Sequence, residues 1–220
     1  MSDFEAVVRA RRSTRGFTSR PVPESVVRAA LELAQQSPSN CNAQPWRVVI
    51  ATGERCRRLR ARLLAAFDGN RPVDEVTTPR FEAEYRTRQV ACAVELYGKM
   101  GVARGDRAAR TRAERRNFEL FDAPAVAIVC MKREFGVGVA LDVGCWLQSF
   151  LLALTAFDVQ SCPQASLRAY GTLVGEELGI DPSLQVLCGV SFGYGDESVA
   201  ANAARMGRSP VDECVTLLGF

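Results

Sequence analysis

Apolar positions along the chain alternate between two periods, one helical and one extended. Residues 3–12 place Phe4, Val7 and Val8 on one face and predict a short helix. Pro23 to Gln36 is more sharply periodic. Pro23 stands where a helix begins, Glu24 falls in the first turn, and Val26, Val27, Ala30, Leu31 and Ala34 recur at helical spacing. Residues 46–51 are an apolar run of strand length. Glu54 to Phe67 returns to the helical period, with Leu59, Leu63 and Ala66 inward and arginines outward. Residues 68–78 (DGNRPVDEVTT) predict a loop, followed by two helices at about 80–100 and 106–118. Ala125–Met131 predicts a second buried strand and Val137–Phe157 a long apolar helix. Leu167–Leu178 predicts a further helix, Leu184–Phe192 a third strand and Glu213–Leu218 a fourth. No repeat, low-complexity tract or Gly/Ser linker divides the chain. A single domain over 1–220 is expected, with a helical excursion at about 68–120 that caps any active site. Helices and strands mixed without a regular β-α-β order predict an α+β fold rather than a doubly wound sheet.

Composition narrows the chemistry. Hydrophobic residues make up 47% and charged residues 24%, and the net charge is only +3. These are values of an ordinary globular protein without a broad polyanion-binding field. Histidine is absent. That excludes a Ser-His-Asp triad, a Cys-His pair and the histidine-bearing zinc and iron sites, and it points to a borrowed cofactor. The eight cysteines are scattered singly with no CxxC. They read as reduced, small hydrophobes rather than a disulfide or metal framework. The opening MSDFEAVVRARRS lacks a signal-peptide core, so a cytoplasmic location is expected. Fifteen uncharged residues, Val143 to Phe157, lie between Asp142 and Asp158. A membrane span needs about 20, so a buried core helix is the better reading and no membrane partner is expected.

Several stretches carry candidate chemistry. Gly136-Val137-Gly138 follows a strand and opens a helix, the setting of a dinucleotide fingerprint. Leu141 stands where the third glycine belongs, so a flexible helix entry is the simpler reading. The run Arg55 to Arg62 lacks interleaved aromatics and reads as a solvated helix face, not a nucleic-acid site. Arg11-Arg12-Ser13-Thr14-Arg15-Gly16-Phe17 is different. Its charges repel unless something negative sits among them, and arginine with a neighbouring hydroxyl suits phosphate. Two more arginines, Arg205 and Arg208, stand near the C-terminus. Ser37 to Trp46 (SPSNCNAQPW) packs hydrogen-bonding side chains between two prolines, more than a turn requires. Together these suggest a phosphate-bearing cofactor with a planar polar head.

In order and position, three motifs resemble those of the FMN-dependent nitroreductases. Arg11-Arg12-Ser13-Thr14-Arg15 with Phe17 is similar to the family's R-R-S-x-R-x-F. Pro38 to Trp46 resembles its P-S-x-x-N-x-Q-P-W. Gly193-Tyr194-Gly195-Asp196, then Arg205 and Arg208 to Glu213, resembles its G-Y-x-D and R-x-P-L-D-E. Asp142 to Ser166, with Gln148 and Cys162-Pro163-Gln164, resembles the central helix and the loop after it. The resemblance implies a central, mostly antiparallel sheet flanked by helices in a homodimer whose subunits exchange terminal segments. One FMN would lie at each of two interface sites. Arg11, Arg12, Ser13 and Arg15 would meet its phosphate and pyrimidine edge, and Arg208, with Arg205, its phosphate. Pro38, Ser39, Asn40 and Asn42 would line the flavin from the partner subunit, and Ser161, Cys162, Pro163 and Gln164 would bring backbone near the ring. The family has other residues where Asn40 and Cys41 stand, which bears on the contacts there and places Cys41 among the candidate substrate residues.

The implied chemistry is flavin-centred, with no protein acid or base required. NAD(P)H would deliver hydride, and a small-molecule acceptor such as a nitroaromatic or quinone would then be reduced at the same site. Arg15 is assigned as the cation that stabilises negative charge on the pyrimidine side. Phe81, Tyr85, Tyr97 and Phe118 are candidates to roof the flavin, or else core residues of two packed helices. Reductive dehalogenation or other flavin chemistry, and non-catalytic flavin binding, are the rival functions on such a scaffold.

Overall fold

The computed structural model describes residues 4–71, 74 and 80–219. Seven α-helices, α1 (Phe4–Ala10), α2 (Glu24–Ala34), α3 (Gly53–Asp68), α4 (Ala83–Lys99), α5 (Arg107–Arg115), α6 (Val137–Ala156) and α7 (Gly171–Leu178), accompany four strands among these residues. The strands are β1 (Arg47–Thr52), β2 (Ala125–Lys132), β3 (Gln160–Gln164) and β4 (Leu184–Gly193). They form one sheet in the order β1-β2-β4-β3, and every neighbouring pair is antiparallel.

The central strand β2 is buried on both faces, which is why its sequence reads as a continuous apolar run. Its alternate residues serve two cores. Ala125, Ala127, Val129 and Met131 face α2 and α6, where Trp146, Phe150 and Leu154 complete the packing. Val126, Ile128 and Cys130 face the other way, onto Leu59 and Leu63 of α3 and Val174 of α7. Each fully buried large side chain contributes about 1.5–3 kcal/mol. Gly189 of β4 has no room for a side chain, since a Cβ there would stand 2.3 Å from Leu167 Cδ1.

The sheet departs from the predicted one in two places. Gln160–Gln164 is a strand that the pattern does not predict, because Pro163 and mixed polarity obscure it. It lies on the sheet edge, where a proline costs no ladder bond. The expected strand Glu213–Leu218 is not one. Val211–Glu213 is a 3-10 turn, and the exposed residues after it have no ladder partner in their own chain. The helix expected from Leu167 also begins late, with a 3-10 segment over Ala165–Tyr170 before α7. In α1 only Val7 is buried, while Phe4 and Val8 are exposed. Most of the loop expected at 68–78 lies outside the described residues, and Asp68 closes α3.

α6 is long and apolar enough to cross a membrane, but it is a core helix on one side, burying Val143, Trp146, Phe150 and Leu154. On the other side Val137 is 88% and Leu141 70% exposed. That uncovered apolar face explains why the helix is hydrophobic nearly all round.

Candidate active site

After α1 the chain runs beside the edge strand β3. Thr14 N–H donates to Ser161 O at 3.0 Å, and Ser13 bridges Ser161 in parallel. Phe17 N–H donates to Phe121 O, and Thr18 N–H to Tyr194 O at 2.8 Å. These bonds set the Arg11–Arg15 segment along the rim of a cavity of about 910 Å³. Arg11, Arg12, Ser13 and Arg15 line it from one end of the chain, and Arg205 and Arg208 from the other. Gln148 and Leu151 of α6 and Pro163 of β3 supply further wall. Among the described residues, no carboxylate lines this cavity. Among the described residues, none of these five arginines forms an ion pair, whereas Arg9 nearby is held by Glu5 at 2.7 Å. Burial, and then the neighbouring charge of Arg208, lowers the Arg11 pKa. Both causes oppose this clustering of cations, and an anion among them relieves both.

Asn202 ties the two ends together. Its Oδ1 accepts from Arg15 N–H at 2.6 Å, and its Nδ2 donates to Gly16 O and Asp196 O, both at 2.8 Å. Its own carbonyl accepts from Arg205 Nη1 at 2.8 Å. The approach is so close at Gly16 that a Cβ would meet Val199 side-chain atoms at 2.6 Å. Beneath lies Ser161, whose buried Oγ has no hydrogen-bond partner among the described residues. Cys162 beside it is buried, and burial pushes its thiol pKa up to about 11 against the opposing pull of Arg15 and Ser13.

A second cavity, of about 380 Å³, meets the first at Arg15. Leu96, Tyr97 and Met100 of α4, Phe121, and Val199 to Ala201 give it mostly apolar walls.

The polar turn after α2 lies elsewhere. Ser37 Oγ is 2.8 Å from Ser149 Oγ, and Asn40 N–H donates to Asp142 Oδ2 at 3.0 Å, so α6 holds its first half. Gln44 N–H donates to Ser39 Oγ at 2.9 Å. Its far end is fixed by Gln35, whose Oε1 accepts from both Trp46 Nε1 and Trp146 Nε1, at 2.6 and 2.9 Å. Between these anchors Cys41, Asn42 and Gln44 have φ of 51°, 55° and 47°. The left-handed region costs a non-glycine residue about 1–2 kcal/mol, least for Asn.

A model of the family described as "Nitroreductase family" matches residues 8–194. The chain belongs to the nitroreductase family. It is 35% identical to a 4-nitrobenzoate reductase of Nocardioides sp. (strain LMS-CY), over 98% of this chain and 90% of that one. With a 4-nitrobenzoate reductase of Pseudomonas putida the identity is 32%, over 99% and 96%. In structure it superposes on the FMN-dependent nitroreductase NfnB from Mycobacterium smegmatis in complex with NADPH. The TM-score is 0.93 at 32% identity, covering 97% of both chains.

Within this nitroreductase the predicted residues fall into three groups. Arg11, Arg12, Ser13, Arg15, Pro163, Arg205 and Arg208 surround one cavity. Ser161 and Cys162 lie under it on β3, while the Gln164 side chain is fully engaged, donating to Asn117 O at 2.7 Å and accepting from Ser191 Oγ at 2.6 Å. Pro38, Ser39, Asn40, Cys41 and Asn42 do not line this cavity within one chain. Of the expected roof, Phe118 must be corrected. It is 4% exposed and packed between Phe67 and Tyr170, with ring centroids 4.8 and 5.1 Å away, because helical spacing cannot distinguish a core aromatic from a site aromatic. Phe81 and Tyr85 are exposed, and Tyr97 lines the smaller cavity. Asn202 carries no motif that marks it beforehand. A lone Asn before an arginine-bearing tail is the only signal.

Proposed function

We propose that this chain is an FMN-dependent oxidoreductase that takes hydride from NAD(P)H and reduces nitroaromatic, quinone or similar electron-poor acceptors. The names of its relatives make 4-nitrobenzoate the first acceptor to test. One observation carries the reading: arginines from both ends of the chain surround one cavity with no carboxylate among its described walls. A cavity of about 910 Å³ lies within the size range of cofactor pockets, and its charge suits a phosphate monoester.

When bound, FMN would supply the redox chemistry, taking up hydride from the nicotinamide and delivering electrons to the acceptor. The chain's residues bind and orient. Arg11, Arg12, Arg205 and Arg208 neutralise the phosphate, with Ser13 as a hydroxyl partner. Arg15 holds a fixed cation for the pyrimidine side, where negative charge gathers on reduction. Backbone of Ser161, Cys162, Pro163 and Gln164 forms the floor towards the ring. No acid or base of the chain is assigned, and water supplies the protons.

The functional unit in this reading is a homodimer, and Pro38, Ser39, Asn40 and Asn42 serve the cavity of the second copy. Two features support it. The turn does not line its own chain's cavity, and α6 and the tail expose Val137, Leu141, Leu217 and Leu218 as apolar surface. Phe81, Tyr85 and Cys41, exposed in the single chain, are then candidates to line the acceptor's path.

The test is the purified protein's visible spectrum, followed by anaerobic mixing with NADPH or NADH and then 4-nitrobenzoate. A bound, releasable FMN that bleaches with nicotinamide and recolours with the nitroarene is expected. A colourless chain that takes up no FMN overturns the reading. Flavin that nicotinamide does not reduce leaves only a flavin-binding protein.

A further inference from the structure

We propose that Asp142 is a positioning residue of the cofactor site: its carboxylate holds the Asn40–Gln44 turn in the conformation that presents Asn40 and Asn42 to the flavin. This rests on the reading above, in which that turn serves the cofactor.

The turn is held partly by its own hydrogen bonds, such as Gln44 N–H to Ser39 Oγ, and partly from outside. Cys41, Asn42 and Gln44 all adopt positive φ, which costs Cys41 and Gln44 more than Asn42. Non-glycine residues persist there only where their surroundings over-determine them, and such places cluster at functional sites. Here the outside determinants of its first half come from one helix, α6. Asp142 Oδ2 accepts from Asn40 N–H at 3.0 Å, at the first residue of the 3-10 turn. Two helical turns on, Ser149 meets Ser37 Oγ at 2.8 Å, and the Cys145 carbonyl between them also accepts from Ser37. Positions 142, 145 and 149 form one stripe of α6. Gln148 and Leu151 of the same helix line the arginine cavity. α6 therefore fixes the turn and a wall of the cavity on one rigid element. In a two-fold dimer such an element sets where each turn meets the other copy's cavity.

Asp142 has a weak structural motive. It is half-exposed, in no ion pair among the described residues, and sits at a point of α6 flanked by the exposed Leu141. The main packing of the helix runs through Val143, Trp146 and Phe150 instead. Removing the carboxylate should free the turn without loosening the core.

The experiment titrates flavin-free protein with FMN, following the quenching of flavin fluorescence. The melting temperature and solution mass of the same apoprotein are measured in parallel. Asp142→Ala is expected to weaken FMN binding roughly tenfold, with melting temperature and mass unchanged. Asp142→Asn, which keeps an acceptor oxygen, is expected to restore most of the affinity. Ser39→Ala removes a bond inside the turn, to Gln44 N–H, and should weaken FMN in the same direction. Unaltered FMN affinity in Asp142→Ala overturns the proposal, as does a loss that tracks a fall in melting temperature or failure of the Asn variant to rescue. If Asp142→Ala does not fold, Ser39→Ala decides: a normal affinity there overturns the role of the turn. Failure of the unsubstituted chain to bind FMN overturns the functional reading itself, a result distinguishable from all of these.

Discussion

The arginine cavity and the asparagine turn are both polar, both near α6, and built on opposite principles. The cavity gathers like charges contributed by one chain and tied together by Asn202 and the Ser13–Ser161 bridge. Its cost is electrostatic, seen in the lowered pKa of Arg11, and a bound anion offsets it. The turn carries no charge of its own. Its cost is conformational, stored in three positive φ angles and balanced by hydrogen bonds from its own side chains and from α6. A charged site can wait for its ligand with long flexible side chains. A neutral one must have its amides placed beforehand, since each such bond is worth only about 1 kcal/mol net.

The largest effect that would break this comparison is expected at Asn202. Asn202→Ala leaves the Arg15 amide and two carbonyls without their partner in a buried setting, and should cost about 3 kcal/mol. The loss of both melting temperature and FMN content in the purified protein measures it. Retention of full FMN content would show that the cavity does not depend on this tie. Next is Arg208→Ala. Loss of a phosphate cation should weaken FMN binding by about ten- to a hundredfold and flatten its salt dependence, read by titration at two ionic strengths. A smaller and sharper contrast comes from Arg15→Gln. Flavin reduction by NADPH in stopped flow should slow about tenfold while FMN affinity changes little, which separates Arg15 from the phosphate arginines.

The smallest effect concerns the sheet beneath both regions. Burial pushes the Cys188 thiol up to about 12 and the Cys162 thiol to about 11, from an ordinary 9.0. A raised pKa in the folded state means that the unfolded chain ionises first. This contribution is fully present below pH 9 and is lost as pH rises towards 11–12. The urea midpoint should fall across that window, and Cys188→Ala should reduce the slope.

Where one period dominates, the elements were legible beforehand. Val27, Ala30 and Ala34 mark α2, Leu59, Leu63 and Ala66 mark α3, and the unbroken apolar run of β2 announces a strand covered on both faces. The strand at Gln160 was not legible, since an edge position tolerates Pro163 and has no strong pattern to show. The tail at Glu213 misled in the opposite sense, because alternation is only a preference until a partner strand exists to satisfy it. The aromatics divided for the same reason. Phe118 and Tyr97 both fall in predicted helices, yet one is core and the other lines a cavity.

By itself the sequence determined the α+β elements, the absence of imidazole chemistry and the surplus of arginine at both ends, because period and composition are local properties of the chain. Only the tertiary structure decided that Arg11 and Arg208 face one cavity, that Asn202 joins their segments, and that the polar turn does not line that cavity within the chain. Those facts depend on the register of β3 against β4 and on how α6 packs across the sheet. Contacts between residues nearly two hundred positions apart arise only when the whole core closes.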